Sequence, residues 1–109
     1  PLGRFRICEK FGDHAKPLTI FRSRVPEGLW DPACPDEGDL VLTRILRLEG
    51  LDPHNANSYQ RFIYIHGTNH EHSIGSPASQ GCVRMRNQDV IELFDRVRVG
   101  TPVEIEEQA

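Results

Sequence analysis

The chain has 109 residues, of which 38% are hydrophobic and 27% are charged, and its formal net charge at pH 7 is −3. This length suits one compact domain with a modest core, so we expect residues 1–109 to form a single domain. The negative charge argues against a nucleic-acid partner, because no basic surplus exists to neutralise phosphates. No apolar run reaches the length of a membrane span, so we expect no spanning segment in this chain.

The first half of the chain alternates short strand patterns with loops. Polar and apolar residues alternate at 4–7 and recur in a short run at 18–21, which predicts two strands. Residues 25–38 hold three prolines and two glycines, and we expect a loop there. The β-branched and apolar run at 41–48 predicts a third strand, and the polar stretch at 50–58 predicts another loop.

The second half contains the clearest strand and the single predicted helix. Aromatic and β-branched residues at 61–65 predict a strand that ends at His66. Asn87 is a typical helix N-cap, and the helical region ends at Gly100 before a last strand at 103–105. Four apolar residues fall on one helical face: Val90, Ile91, Phe94 and Val97. One helix among many short strands indicates a mostly-β domain, either a sandwich or a small barrel.

The chain has three cysteines, Cys8, Cys34 and Cys82, so at least one thiol cannot be in an internal disulfide. Their spacing includes no CxxC pair, which argues against a structural zinc site built on thiolates. A disulfide between Cys8 and Cys34 in an oxidising compartment is left open by the sequence.

Cys82 and His66 are candidates for nucleophilic catalysis. A loop rich in Asn, Ser, Gly and Pro separates them and can fold back to bring them together. An imidazole can take the thiol proton and stabilise the thiolate. Gly81 allows a tight turn that directs backbone N–H groups at an oxyanion, and the carbonyl of Gly67 can hold the imidazole in one tautomer. From the residue types alone, a buried structural thiol and a structural histidine remain the alternative.

The sequence around these residues resembles the L,D-transpeptidase catalytic domain, also called the YkuD-type domain. The resemblance rests on Ile-His-Gly-Thr-Asn at 65–69, Ser-Ile-Gly at 73–75, Pro-Ala-Ser at 77–79 and Gly-Cys-Val-Arg-Met at 81–85. Asn87, Asp-Val-Ile at 89–91 and Gly-Thr-Pro-Val at 100–103 extend it, and residues 1–5 and 42–46 resemble two further segments of the family. It covers essentially the whole chain. We expect the family's first strands, and any targeting segment, to precede Pro1.

The resemblance implies a β-sandwich with the cysteine at its open end and one short helix after it. It implies a peptidoglycan enzyme that attacks the bond between the L-centre of a diamino acid and the following D-Ala of a tetrapeptide stem. A thioester forms, D-Ala leaves, and the amine of another stem accepts the acyl group in a 3→3 cross-link. Some members of the family use a lipoprotein lysine or water as the acceptor instead, so L,D-carboxypeptidase activity is an alternative.

Residue roles follow from the same resemblance. Cys82 corresponds to the nucleophile and His66 to the general base, while Gly67 supplies the carbonyl that orients the base. We assign an oxyanion-binding backbone N–H to Gly81. Arg84 matches the arginine that follows the family cysteine by two residues, and a substrate contact and a structural ion pair are equally supported for it.

Ser79 and Gln80 are expected to border the acyl pocket, and Gln80 is a departure from the family. The family has a histidine at that position, and glutamine can donate a hydrogen bond but cannot titrate. We expect an active Cys82–His66 pair with altered rate or acceptor preference. The alternative is a catalytically impaired domain that binds wall peptides.

The resemblance also decides the expected partners. We expect peptidoglycan stems as the only partner of a monomer, no cofactor, no metal, and a place in the periplasm or cell envelope. A zinc site formed by His66, His70 and His72 is the competing hypothesis, because a loop with this spacing can reach one metal.

Overall fold

A computed structural model of the chain describes residues 1–34, 38–75 and 81–106. The elements in chain order are β1 (Gly3–Phe11), β2 (Thr19–Arg22), β3 (Val25–Leu29), β4 (Val41–Gly50), β5 (Tyr64–Thr68), β6 (Val83–Met85), α1 (Asn87–Arg96) and β7 (Pro102–Ile105). Short 3₁₀ turns lie at Pro53–Asn55 and Glu71–Ser73. The predicted mostly-β class, with one short α-helix after Cys82, is confirmed, and the arrangement is consistent with the expected β-sandwich.

The long strand β4 organises the sheet because three strands pair with it. β1 pairs with residues 45–50 of β4, and β2 pairs with residues 41–42. β5 pairs with residues of β4 between 41 and 47, which overlap both of these stretches. β1 and β2 therefore share one edge of β4, and β5 occupies the other. All of these pairs are antiparallel, whereas β6 joins β5 in a parallel pair.

An irregularity in β4 lies between the part of the strand that pairs with β2 and the part that pairs with β1. The β4–β5 register shifts between Leu42 and Ile45, and Thr43 lies there with a φ of 78°. A β-branched residue rarely adopts a positive φ, so the surrounding bonds must stabilise this backbone. The Thr43 hydroxyl accepts from the N–H of Leu18 at 3.0 Å and donates to Asn87 Oδ1 at 2.6 Å.

The two faces of the sheet carry different clusters. On the helix side, buried residues of β1, β4 and β5 pack against Val90 and Phe94 of α1. Lys10 of β1 fastens the end of this helix by donating to the carbonyls of Phe94 and Val97 at 2.7 and 2.8 Å, which satisfies acceptors that a helix terminus leaves open. The opposite face carries a smaller cluster of Phe21, Ile45 and Tyr64, and Cys82 packs against it.

The sequence prediction was wrong at β3. Residues 25–29 are not a loop but the second strand of a hairpin with β2, with Arg22 opposite Val25. The connecting residues Ser23 and Arg24 both have positive φ, 49° and 66°, as a two-residue hairpin turn requires. No glycine marks this turn, and Pro26 is tolerated because β3 lies at the edge of the sheet.

Three further expectations around the site need correction. His66 does not end its strand, because β5 runs from Tyr64 to Thr68. A short strand, β6, lies between Cys82 and the helix and was not predicted from the sequence. The N-cap of α1 is Arg86, and Asn87 is the first helical residue with its side chain turned into the protein.

The remaining predicted strands, at 4–7, 18–21, 41–48 and 103–105, all fall on observed strands. Cys8 and Cys34 form no disulfide, since the half-buried Cys8 thiol donates to the carbonyl of Arg47 and Cys34 is exposed. Among the described residues, none of the helices has the length and apolar character needed to cross a bilayer.

Candidate functional site

The parallel pairing of β5 and β6 places the two candidate catalytic residues on adjacent strands. Ile65 lies opposite Val83 and His66 opposite Arg84, so Cys82 lies beside Tyr64. Side chains alternate between faces along a strand, and Tyr64 and His66 therefore share a face. Because Cys82 packs against Tyr64, the thiol and the imidazole lie on the same side of the sheet.

Two backbone groups of the β5 segment hold the sulfur of Cys82. The N–H of Tyr64 donates to Sγ at 3.4 Å, and Sγ lies 3.4 Å from the carbonyl oxygen of Phe62, to which the thiol can donate. Burial raises the pKa of the Cys82 thiol above its usual 9.0, and the Tyr64 N–H opposes part of that rise. The cysteine therefore rests as a neutral thiol at pH 7.

His66 is 3% exposed and rests as a neutral imidazole. Burial lowers the pKa of His66 below 6.5, and the smaller effects of the Gly67 carbonyl and of Asp39 raise it. Nδ1 lies 2.6 Å from the Gly67 carbonyl oxygen, which can only accept, so the proton is on Nδ1. This tautomer leaves the lone pair on Nε2, where a general base needs it. The Gly67 carbonyl therefore fixes the tautomer of His66, and its role in catalysis stays a prediction.

Glycine is needed at position 67 by the packing around it. A Cβ on Gly67 would lie 2.6 Å from the carbonyl oxygen of Leu42 and would collide with the side chain of Asn87. Gly81 has a φ of 120°, a conformation that favours glycine. A Cβ there would lie 2.8 Å from Cδ1 of Ile63. Both glycines that flank the candidate residues therefore allow close approach of the backbone.

Arg84 lies next to His66 and makes a structural ion pair. Its side chain is 7% exposed, and Nη1 lies 3.8 Å from Oδ1 of Asp39. This supports the structural reading of Arg84, while a substrate contact stays a prediction. Ser79 and Gln80, the other expected substrate neighbours, lie outside the described residues.

With this geometry established, the family can be assigned. The sequence model of the L,D-transpeptidase catalytic domain matches residues 1–105. The chain belongs to the L,D-transpeptidase catalytic domain family.

Curated relatives match over shorter segments. The chain is 54% identical to the probable L,D-transpeptidase ErfK/SrfK of Escherichia coli (strain K12) over 48 residues, 44% of this chain and 16% of that protein. It is 58% identical to the putative L,D-transpeptidase YkuD of Bacillus subtilis (strain 168) over 41 residues, 38% of this chain and 25% of that protein. It is 51% identical to the putative L,D-transpeptidase YqjB of the same strain over 43 residues, 39% of this chain and 24% of that protein. Each match spans a quarter or less of the relative's length.

In this L,D-transpeptidase domain, Asn87 is a residue whose role sequence analysis missed. The side chain is buried, and its Nδ2 donates to the carbonyl of Thr68 at 2.7 Å and to Oε2 of Glu71 at 2.9 Å. Its Oδ1 accepts from the Thr43 hydroxyl. Asn87 thus ties β4, the end of β5 and the start of α1 together beside the His66–Gly67 pair. A buried polar residue at a helix start is the sequence signal, but capping explained it equally well.

Asp39 was missed because it lies just before β4, outside the described helices and strands. One side chain, that of Asn69, fixes the backbone on both sides of Asp39. Asn69 Nδ2 donates to the carbonyl of Gly38 at 2.8 Å, and Asn69 Oδ1 accepts from the N–H of Leu40 at 2.9 Å. His70 Nε2 also lies 3.3 Å from the Gly38 oxygen. The result is a carboxylate next to Arg84, at one end of the candidate site.

The alternative zinc site does not form among the described residues, where no three His, Cys, Asp or Glu side chains are grouped to hold a metal. The rings of His70 and His72 pack edge to face, with centroids 5.9 Å apart. His66, in contrast, is buried within β5 with Nδ1 on the Gly67 carbonyl.

Proposed function

We propose that this domain is a peptidoglycan L,D-transpeptidase that works by cysteine acyl transfer, with Cys82 as nucleophile and His66 as general base. Family membership supports an enzyme of this kind. The observation that carries the residue assignment is the β5–β6 pairing, which sets a buried Nδ1–H imidazole beside the strand that Cys82 precedes.

In the first half of the reaction, Nε2 of His66 takes the thiol proton as Sγ of Cys82 attacks the carbonyl that precedes D-Ala. The N–H of Tyr64, 3.4 Å from Sγ, stabilises negative charge on the sulfur as the proton leaves. The N–H of Gly81 is assigned to the oxyanion of the tetrahedral intermediate. The imidazolium then protonates the amine of D-Ala, which departs and leaves a thioester on Cys82.

In the second half, the side-chain amine of another stem attacks the thioester and a 3→3 cross-link forms. Such stems are parts of the bacterial wall, so this reaction belongs in the periplasm or cell envelope. Water in place of the amine would make the domain an L,D-carboxypeptidase. If Gln80 prevents turnover, the same site would bind wall peptides without converting them.

Products from a disaccharide-tetrapeptide, identified by mass spectrometry, distinguish these outcomes. The proposal predicts a cross-linked dimer together with released D-Ala, and neither product with Cys82→Ser. Cys8→Ser is the matched control, because this thiol lies on β1 and donates to the Arg47 carbonyl. A tripeptide without dimer would indicate the carboxypeptidase, and unchanged tetrapeptide would contradict catalysis. Gln80→His then measures what the departure from the family motif does to the rate.

A further inference from the structure

The charged groups near Cys82 differ between the two ends of β5. Near its beginning lie cations: Arg24 donates to the Tyr64 hydroxyl at 3.0 Å and lies over the ring of Phe62, 5.1 Å from its centroid. Arg61 adds a second guanidinium, whose Nη2 would lie 3.8 Å from a Cβ placed on Gly81. Near the end of β5, the carboxylate of Asp39 lies 3.8 Å from the buried guanidinium of Arg84. The two ends of the site therefore differ, because the solvent-exposed member of this ion pair is the carboxylate.

The position of Asp39 is fixed although its side chain is 49% exposed. Two hydrogen bonds with the Asn69 side chain hold the backbone on both sides of it, and Leu40, the next residue, is buried. The contact of its carboxylate with Arg84, at 3.8 Å, is longer than a hydrogen bond. The backbone of Asp39 is therefore held in place, and its carboxylate reaches solvent and can accept hydrogen bonds from an arriving cation.

The charge of Asp39 acts on both candidate catalytic groups. After the larger effect of burial, it raises the pKa of the Cys82 thiol further. It also raises the pKa of His66, against the larger lowering by burial. In the first half of the proposed reaction these effects oppose each other, because one disfavours the thiolate and the other strengthens the base. In the second half sulfur is already acylated, and the carboxylate is available to the group that approaches His66.

We propose that Asp39 binds the ammonium form of the acceptor amine and so favours an amine over water as the acceptor. The inference rests on the proposed transpeptidase function and names a specificity residue for it. An alkyl amine with a pKa of about 10.4 is charged at pH 7, whereas the competing acceptor, water, is neutral. A carboxylate beside the general base thus concentrates one acceptor and not the other.

The transfer step balances as follows. The bound ammonium loses one proton to Nε2 of His66, and the neutral amine attacks the thioester carbonyl. A C–N bond forms and the C–S bond breaks. The second proton lost from nitrogen goes to Sγ and restores the Cys82 thiol, and the imidazolium of His66 releases the first proton to solvent. Asp39 stays ionised throughout.

The test compares Asp39→Asn with the native chain on a disaccharide-tetrapeptide, measuring the acyl-enzyme by intact mass and the ratio of dimer to tripeptide. We expect that ratio to fall by about fivefold, which is the effect on binding expected from the loss of a partly exposed charge pair. We expect acylation to change less than this ratio, because removing the charge lowers the pKa of both Cys82 and His66, with opposing effects on proton transfer. Asp39→Glu should restore the ratio in part, and Asp13→Asn, at an exposed position on a loop, is the matched control.

A second nucleophile sharpens the result. Hydroxylamine is uncharged at neutral pH, so its capture of the acyl group should be the same in Asp39→Asn and in the native chain. An unchanged dimer-to-tripeptide ratio in Asp39→Asn would overturn the inference. So would an equal loss of acylation and transfer, which would mean that Asp39 is only structural. Absence of any acyl-enzyme in the native chain would instead reject the proposed function itself.

Discussion

Replacing Asn87 with alanine tests the polar network that joins β4, β5 and α1 behind the site. The change removes the acceptor of the Thr43 hydroxyl and a donor to the Thr68 carbonyl, and both of these residues are fully buried. It also removes a hydrogen bond to the carboxylate of Glu71, which is exposed and can accept a hydrogen bond from water instead. The cost should therefore come mainly from the two buried partners.

A buried group that loses its hydrogen-bond partner costs about 1–3 kcal/mol. Two such groups give a predicted loss of about 3 kcal/mol in the free energy of unfolding, which lowers Tm by about 10–15 °C for a chain of this size. Urea and thermal unfolding followed by circular dichroism measure both quantities. Gln88→Ala is the matched control, because Gln88 is the next residue of the same helix and is exposed.

A double-mutant cycle separates the network from general damage. If Thr43 and Asn87 are coupled through their 2.6 Å bond, Thr43→Ala and Asn87→Ala should cost less together than the two losses added, by about 1 kcal/mol. A loss below about 1 kcal/mol for Asn87→Ala, or strict additivity with Thr43→Ala, would refute the role assigned to this network.

Three other predictions follow from the same site. The acylation rate of Cys82 should be nearly constant from pH 7 to 8, because His66 is already neutral there. In His66→Ala it should rise about tenfold per pH unit with the thiolate fraction, and equal profiles would contradict the base assignment. The free energy of unfolding should fall as pH drops below 6.5, since the unfolded histidine takes a proton that buried His66 resists; urea unfolding of His66→Gln should lack this component. Gly67→Ala should cost more than about 2 kcal/mol because its Cβ meets the Leu42 carbonyl, whereas Gly38→Ala, with open space around it, should unfold like the native chain.

Most of the sheet could be predicted from the sequence, and the failures have physical causes. The runs at 41–48 and 103–105 predict strands because their side chains are β-branched or alternate in polarity. β3 gives no such signal, since all five of its residues are exposed and its stability comes from pairing with β2. In the turn before it, Ser23 and Arg24 have positive φ although neither is glycine. Tertiary context imposes this conformation, and the local sequence does not predict it.

The candidate site could be named from the sequence where single residues carry the proposed chemistry, and the roles of these residues stay predictions. His66, Gly67 and Cys82 could be named because an imidazole, a small residue and a thiol have few alternatives in such a motif. Asp39 could not, because its position depends on hydrogen bonds that Asn69 makes from another strand's end. Contacts that arise only on folding, between segments far apart in the chain, leave no periodic pattern to detect.

Trapping the acyl-enzyme is the sharpest test of whether Cys82 is the nucleophile and His66 its base. The native chain is incubated with a carbapenem, and intact and peptide-level mass spectrometry locate the adduct. We expect one adduct on Cys82, abolished by Cys82→Ser, strongly slowed by His66→Ala and retained when Cys8 and Cys34 are both replaced by serine. An adduct on Cys8 or Cys34, or equal labelling of Cys82 with and without His66, would contradict it.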